Sequence, residues 1–178
     1  GVTSPIGSFI DKKVSLSSPA HLFILSPGGI HLGAGAGFFN APQLTLSTSN
    51  RLHFSGGFFD VNSSTEAQLG LLDTSPLPGA LGLQSTVGFT PGQDIPGIQL
   101  DGIDIRLDKS LLVDSSHGEV RVSDSKISVG DPSGKGGVLT VTGEFVEVDG
   151  DSSLSTAGLT GGGTIQLGGS WQNSDPSV

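Results

Sequence analysis

Gly136-Gly137-Val138-Leu139-Thr140-Val141-Thr142-Gly143-Glu144-Phe145 recurs, 26 positions on, as Gly162-Gly163-Thr164-Ile165-Gln166-Leu167-Gly168-Gly169-Ser170-Trp171. Both copies carry a double glycine, an alternating strand-like run, a further glycine and an aromatic residue. Self-similarity at a period in the twenties is the mark of a solenoid. A coil made of short strands cannot bury its apolar side alone, so it must stack on the next coil.

The same pattern extends outward over most of the chain. Leu22–Leu25 is a compact apolar run, followed by Ile30/Leu32, Leu44/Leu46 and Leu52/Phe54. Further on come Ile103/Ile105/Leu107, Leu111–Val113, Val120/Val122, Ile127/Val129, Leu139/Val141, Val146/Val148 and Ile165/Leu167. Period-2 runs this short, each closed by Gly, Ser, Asn or Asp, read as half-buried strands. A β-sandwich asks for longer strands and for hairpin turns such as Asn-Gly, a dipeptide absent here. Sharp bends between short strands favour a right-handed parallel β-helix, a single solenoid domain over 1–178. At roughly 20–26 residues per coil the chain would make about seven to nine coils, a rod of about 35–45 Å. Residues 62–99 interrupt the pattern, with Pro76, Pro78, Pro91 and Pro96 among many glycines. That stretch is expected to leave the coil as a loop or small extra sheet, where solenoids carry binding insertions.

Composition narrows the function classes. Of 178 residues only 14% are charged and 29 are glycine, and almost no stretch of ten escapes Gly, Pro or a Ser/Thr cluster, so long helices are nearly excluded. A net charge of −9 with 8 Lys+Arg argues against nucleic acid and against anionic membranes, since phosphate neutralisation needs clustered bases. Neither a nucleic-acid partner nor membrane insertion is expected. There is no cysteine, hence no disulfide framework and no thiolate metal site. Such a chain would also pass a narrow pore unfolded, with no cross-link to obstruct it. No signal peptide, transmembrane run or lipidation signal is visible. The chain opens at Gly1 and lacks Met, which reads as a section of a longer, processed product.

Several groups carry residue types suited to chemistry. Asp101, Asp104 and Asp108, with Asp149 and Asp151, are the residue type that β-helix polysaccharide enzymes use for calcium or acid–base work. Asp101 and Asp104 read as opposite faces of one strand, so turn carboxylates in solvent are the simpler reading. His21, His31, His53 and His117 include three beside apolar strand residues and would stack on one external face. Without a metal-ligand spacing no metal is expected. Gly130-Asp131-Pro132-Ser133-Gly134-Lys135-Gly136-Gly137 looks like a phosphate loop, but Val129 and Gly136 stand where that motif needs Gly and Ser/Thr. It reads as a turn between coils. Asn62-Ser63-Ser64 fits the glycosylation acceptor pattern, which arises often by chance, and no G-x-S-x-G elbow exists. No catalytic residue and no cofactor are expected.

At Ala20-His21-Leu22-Phe23-Ile24-Leu25-Ser26-Pro27-Gly28-Gly29-Ile30-His31-Leu32-Gly33 the chain resembles a known family. This stretch is similar to the haemagglutination-activity (secretion) domain of filamentous-haemagglutinin-like two-partner secretion exoproteins. That family carries Asn-Pro-Asn-Gly-Ile after a Leu/Phe-rich strand. Here Leu22, Phe23, Ile24 and Leu25 form the strand, and Ser26, Pro27, Gly28, Gly29 and Ile30 stand at the signature. Ser retains the side-chain hydrogen bond of such a turn and Gly tolerates positive φ, so both replacements keep a turn feasible. The resemblance implies a bacterial cell-surface or secreted adhesin or structural exoprotein without catalysis. It also implies export through an outer-membrane β-barrel transporter and a receptor on host, cell surface or sibling protein. Two other readings stand beside it: a structural component of a larger surface assembly, and a carbohydrate-active β-helix enzyme with an Asp-based site.

Overall fold

The structure, a computed structural model, describes residues 3–62, 65, 80–81 and 97–168. The first coil comprises β1 (Ser8–Ile10), β2 (Lys13–Ser15) and β3 (His21–Leu25), and the second β4 (Ile30–Leu32), β5 (Gly37–Phe39) and β6 (Gln43–Ser47). The chain then leaves the coil for β7 (Arg51–Phe54), β8 (Gly57–Asp60) and β9 (Ala80–Leu81). It returns in β10 (Ile98–Asp101), β11 (Asp104–Leu107) and β12 (Ser110–Ser123), then continues through β13 (Lys126–Val129) and β14 (Val138–Asp149). The fifth coil closes with β15 (Ser153–Ser155), the small hairpin of β16 (Ala157–Gly158) and β17 (Gly161–Gly162), and β18 (Thr164–Leu167).

Coil strands pair in parallel with their successors on every face, except that β5 and β11 do not pair, giving a three-faced β-solenoid of about five turns. One face stacks β3, β6, the first half of β12, the first half of β14 and β18. A second stacks β1, β4, β10 and the second halves of β12 and β14. The third holds β2 with β5, and β11 with β13 and β15. The two long strands belong to two faces each because they run round a corner, where the β12–β14 register shifts between Ser115 and Glu119.

Parallel register turns the sequence alternation into vertical columns. Leu22, Leu44, Leu111, Leu139 and Ile165 stack in one; Ile24, Leu46, Val113, Val141 and Leu167 stack in the next. Ile10, Leu32, Leu100, Val122 and Val148 line the second face. Leu32, Leu44, Leu46, Ile98, Val113, Val120 and Val141 are fully buried. Each such side chain contributes about 1.5–3 kcal/mol on burial. The corners repeat as well. Ser125 Oγ donates to the Leu100 carbonyl at 3.1 Å and to Ser123 O at 2.6 Å. One coil later Ser152 Oγ reaches the equivalent carbonyls of Val122 and Asp149. Backbone acceptors at the bend are thus satisfied by a hydroxyl in each of these two coils.

The 26-residue echo is real coil spacing, since Val138 pairs with Thr164. Five coils replace the seven to nine expected, and a stack of five spans only about 20–25 Å at the inter-strand spacing. Two features consume the difference. Ile30 pairs with Ile98, a step of 68 where the preceding step from Ser8 to Ile30 is 22, so an excess of 46 residues lies off the coil. Later coils are also longer: Ser110 to Val138 is a step of 28. The excursion begins earlier than residue 62, because β7 to β9 form an antiparallel sheet of their own, and it has ended by Ile98. Most of 62–97 lies outside the described residues.

Candidate functional site

Pro fixes φ at the second position of a β-turn and Gly is favoured at the fourth, so Ser26-Pro27-Gly28-Gly29 is a turn by local chemistry. Gly29 N donates to Ser26 O at 2.9 Å, with Gly29 at φ 102°. The same turn stands one coil earlier as Ser4-Pro5-Ile6-Gly7, where Gly7 N donates to Ser4 O at 3.1 Å. The two turns are in contact. A Cβ on Gly28 would lie 2.6 Å from Gly7 N and 2.8 Å from Pro5 O, so an asparagine would not fit there. Ser26 is wholly buried; its N–H donates to Ser47 O at 2.9 Å and its Oγ accepts from Ser8 Oγ at 3.0 Å. The signature-like stretch is therefore a packed corner joining coils one and two.

The strand before it has two buried sides. Leu22 and Ile24 face the solenoid core, while Phe23 and Leu25 pack on the outer sheet through Leu52, Phe54, Phe59 and Val61. This explains why Leu22–Leu25 is a continuous apolar run rather than an alternating one. Beside Phe23, His21 stacks on its ring at 3.9 Å, and Nε2 meets Thr45 Oγ1 at 2.9 Å. Burial holds the His21 imidazole below its ordinary 6.5, and its Nδ1 is buried without a partner.

The root of the excursion is polar. Asp114 accepts from Ser47 Oγ at 3.1 Å and from Thr142 Oγ1 at 2.8 Å, so one carboxylate ties coils two, three and four. Thr48 Oγ1 donates to Ser115 Oγ at 3.3 Å. Within the outer sheet, Arg51 Nε pairs with the buried Asp60 at 2.7 Å, and its guanidinium lies 4.6 Å from the Phe58 ring. These groups anchor the excursion, and no signal in the alternation pattern marked them.

The other candidates disperse. Asp101 ends β10 and Asp104 begins β11, on either side of the Gly102 corner at φ 63° rather than on one strand. Asp108 lies past β11 and lines a shallow groove of about 280 Å³ with Phe38, Phe39, Asn40, Pro42 and Arg106, where β5 and β11 do not pair. Asp149 receives Arg121 Nη2 at 2.6 Å. His21 and His31 belong to one sheet but to two different faces of the solenoid, and His53 lies on the outer antiparallel sheet, so they do not share one face; His31 meets Phe9 edge-on at 4.9 Å. His117 lies in the β12 corner, and its side chain is outside the described set. Among the described residues no three His, Asp or Glu side chains come together as metal ligands. The Asp131–Gly134 segment is a turn within the fourth coil, between β13 and β14, and not between coils; Ser133 N and Oγ both donate to Asp131 Oδ1. No protein-family model, curated protein or solved structure matches the chain.

Proposed function

We propose that this chain is part of a secreted or surface-displayed structural exoprotein, an adhesin of the two-partner secretion type, in which the solenoid serves as scaffold and the excursion as the displayed element. The observation that carries the reading is the outer antiparallel sheet, seated on Phe23 and Leu25 of the strand that precedes the signature-like turn. A cysteine-free chain whose coils each template the next suits passage through a β-barrel transporter followed by stepwise folding outside. The polar root built on Asp114 and Asp60 would hold the displayed sheet against the rod.

The test is protease shaving of intact cells that express the native protein, followed by intact-mass measurement. A surface-accessible species much larger than this chain supports the reading. A small species protected inside the envelope overturns it.

A further inference from the structure

The seat of the outer sheet includes a side chain that titrates near neutral pH. Side chains alternate along β3, so His21 shares its outer side with Phe23 and Leu25. Phe23 packs on the small cluster of Leu25, Leu52 and Phe59, and the His21 ring covers Phe23 at 3.9 Å, 24° from parallel. Nε2 lies 2.9 Å from Thr45 Oγ1, while Nδ1 is buried with no hydrogen-bond partner. A neutral imidazole has one N–H, so it can sit in this pocket with a single partner. The imidazolium has two. Thr45 Oγ1 can take one, and the Nδ1–H is left enclosed without an acceptor, the costly case for a charged donor.

No nearby charge offsets that cost. Among the described residues no carboxylate forms an ion pair with His21. From β6, which pairs with β3, the residues in register with its outer side are Gln43, Thr45 and Ser47, none of them ionisable. On the outer sheet Arg51 is paired with Asp60 at 2.7 Å, and His53 lies against Phe58. On β12, Asp114 is in register with the Leu25 end of β3 through Ser47, and it accepts from Ser47 and Thr142. Burial accordingly holds the imidazole below 6.5.

We propose that His21 is an acid-operated latch: protonation swings its ring off Phe23 into water, and the outer sheet loosens from the rod while the coils stay stacked. Moving outward lets water hydrate the Nδ1–H, but it uncovers the Phe23 ring and abandons Thr45. The outer cluster has only three buried members, so the loss of this cover weighs heavily on it. The inward columns of the coils contain no titratable side chain and do not respond. With the seated pKa depressed, the latch is closed above pH 6.5 and opens as the pH falls toward the seated value. This concerns how the sheet is attached and does not depend on export.

The experiment is hydrogen exchange of the purified 178-residue chain between pH 7.5 and 5, corrected for the intrinsic pH dependence of amide exchange. A detached hairpin is marginal in water, so release of the sheet reads out as lost protection over 51–60. The expected result is a severalfold loss there, at most about tenfold per pH unit because one proton is taken up, with 98–129 unchanged. In His21→Phe the protection of 51–60 no longer depends on pH, whereas His53→Gln, at an exposed position, leaves the wild-type behaviour intact. Proton NMR of the wild-type His21 ring supplies a second measure, whose midpoint should coincide with the loss over 51–60 and needs no variant. Unchanged protection over 51–60 once His21 is protonated, an equal loss over 98–129, or a loss that persists in His21→Phe would each overturn the inference. None of these outcomes bears on where the protein is displayed, which the shaving experiment decides separately.

Discussion

At the residue scale, the glycines of the repeat are not equivalent. A Cβ on Gly163 would fall onto the Gly137 carbonyl oxygen and lie 2.7 Å from Gly137 N, so backbone of the coil below occupies the space. Gly161 and Gly162 have nothing within 4 Å of the same position. Gly163→Ala should therefore destabilise the chain by about 1–3 kcal/mol, as overpacking does, while Gly161→Ala stays within about 0.5 kcal/mol. Urea titration of both variants checks this, and equal losses would refute the packing argument. His21 supplies a pH dependence. Its folded pKa lies below 6.5, so the unfolded chain binds more protons once the pH drops under that value. Stability is fully present above pH 6.5 and declines as the pH falls toward the folded pKa. His21→Phe, which keeps an aromatic ring against Phe23, should flatten the fall in melting temperature between pH 7.5 and 5.5. An unchanged slope would assign the dependence elsewhere. Asp149, held below 3.8 by the Ser123 hydroxyl and then by Arg121, acts in the same direction only at stronger acidity.

At the scale of elements, β3 decides how the excursion attaches. Its inward residues belong to the solenoid and its outward ones to a separate cluster with Leu52 and Phe59. Leu25→Asp should detach the outer sheet and leave the coils folded, because the carboxylate would be buried among apolar groups of that cluster alone. Limited proteolysis then cuts between residues 50 and 97 while the 98–168 fragment resists. Loss of protection throughout the rod would show that the two cores fold as one. The same strand shows how far sequence reasoning reaches. The run Leu22–Leu25 is visibly a strand, but nothing in it says what covers its second side. Leu44/Leu46 and Leu52/Phe54 share the same alternation, yet the first pair lies in a parallel coil and the second in an antiparallel hairpin. Period-2 patterning reports one buried face and is silent on strand direction, so by pattern alone the excursion starts at residue 62 and not at β7. Asp101 and Asp104 read as one strand because only the two-residue Gly102-Ile103 corner separates them, with no proline to announce it. The Ser-Pro-x-Gly turn at Ser4 and Ser26 is a second repeat, at a spacing of 22, and marks the first corner. The Asp114 clamp joins residues 67 and 28 apart, and no local pattern reports such a pairing.

At the scale of the whole molecule, a solenoid is nearly one-dimensional, and its stability is a sum of coil terms and interfaces between neighbours. Coils two, three and four have neighbours on both sides, although β5 of coil two does not pair with β11; within the described residues coils one and five have one. Amide protection should therefore peak over 98–129 and fall toward 8–25 and 153–167, with the ends opening at a fraction of the global cost. Leu44→Ala, at a fully buried position in coil two, removes about 2–5 kcal/mol locally. In a one-dimensional array that loss should lower protection over 8–47 far more than over 126–149, since coils four and five keep their own interfaces. Hydrogen exchange with mass spectrometry reads both profiles, and a uniform drop along the rod would mean that five coils behave as one cooperative unit.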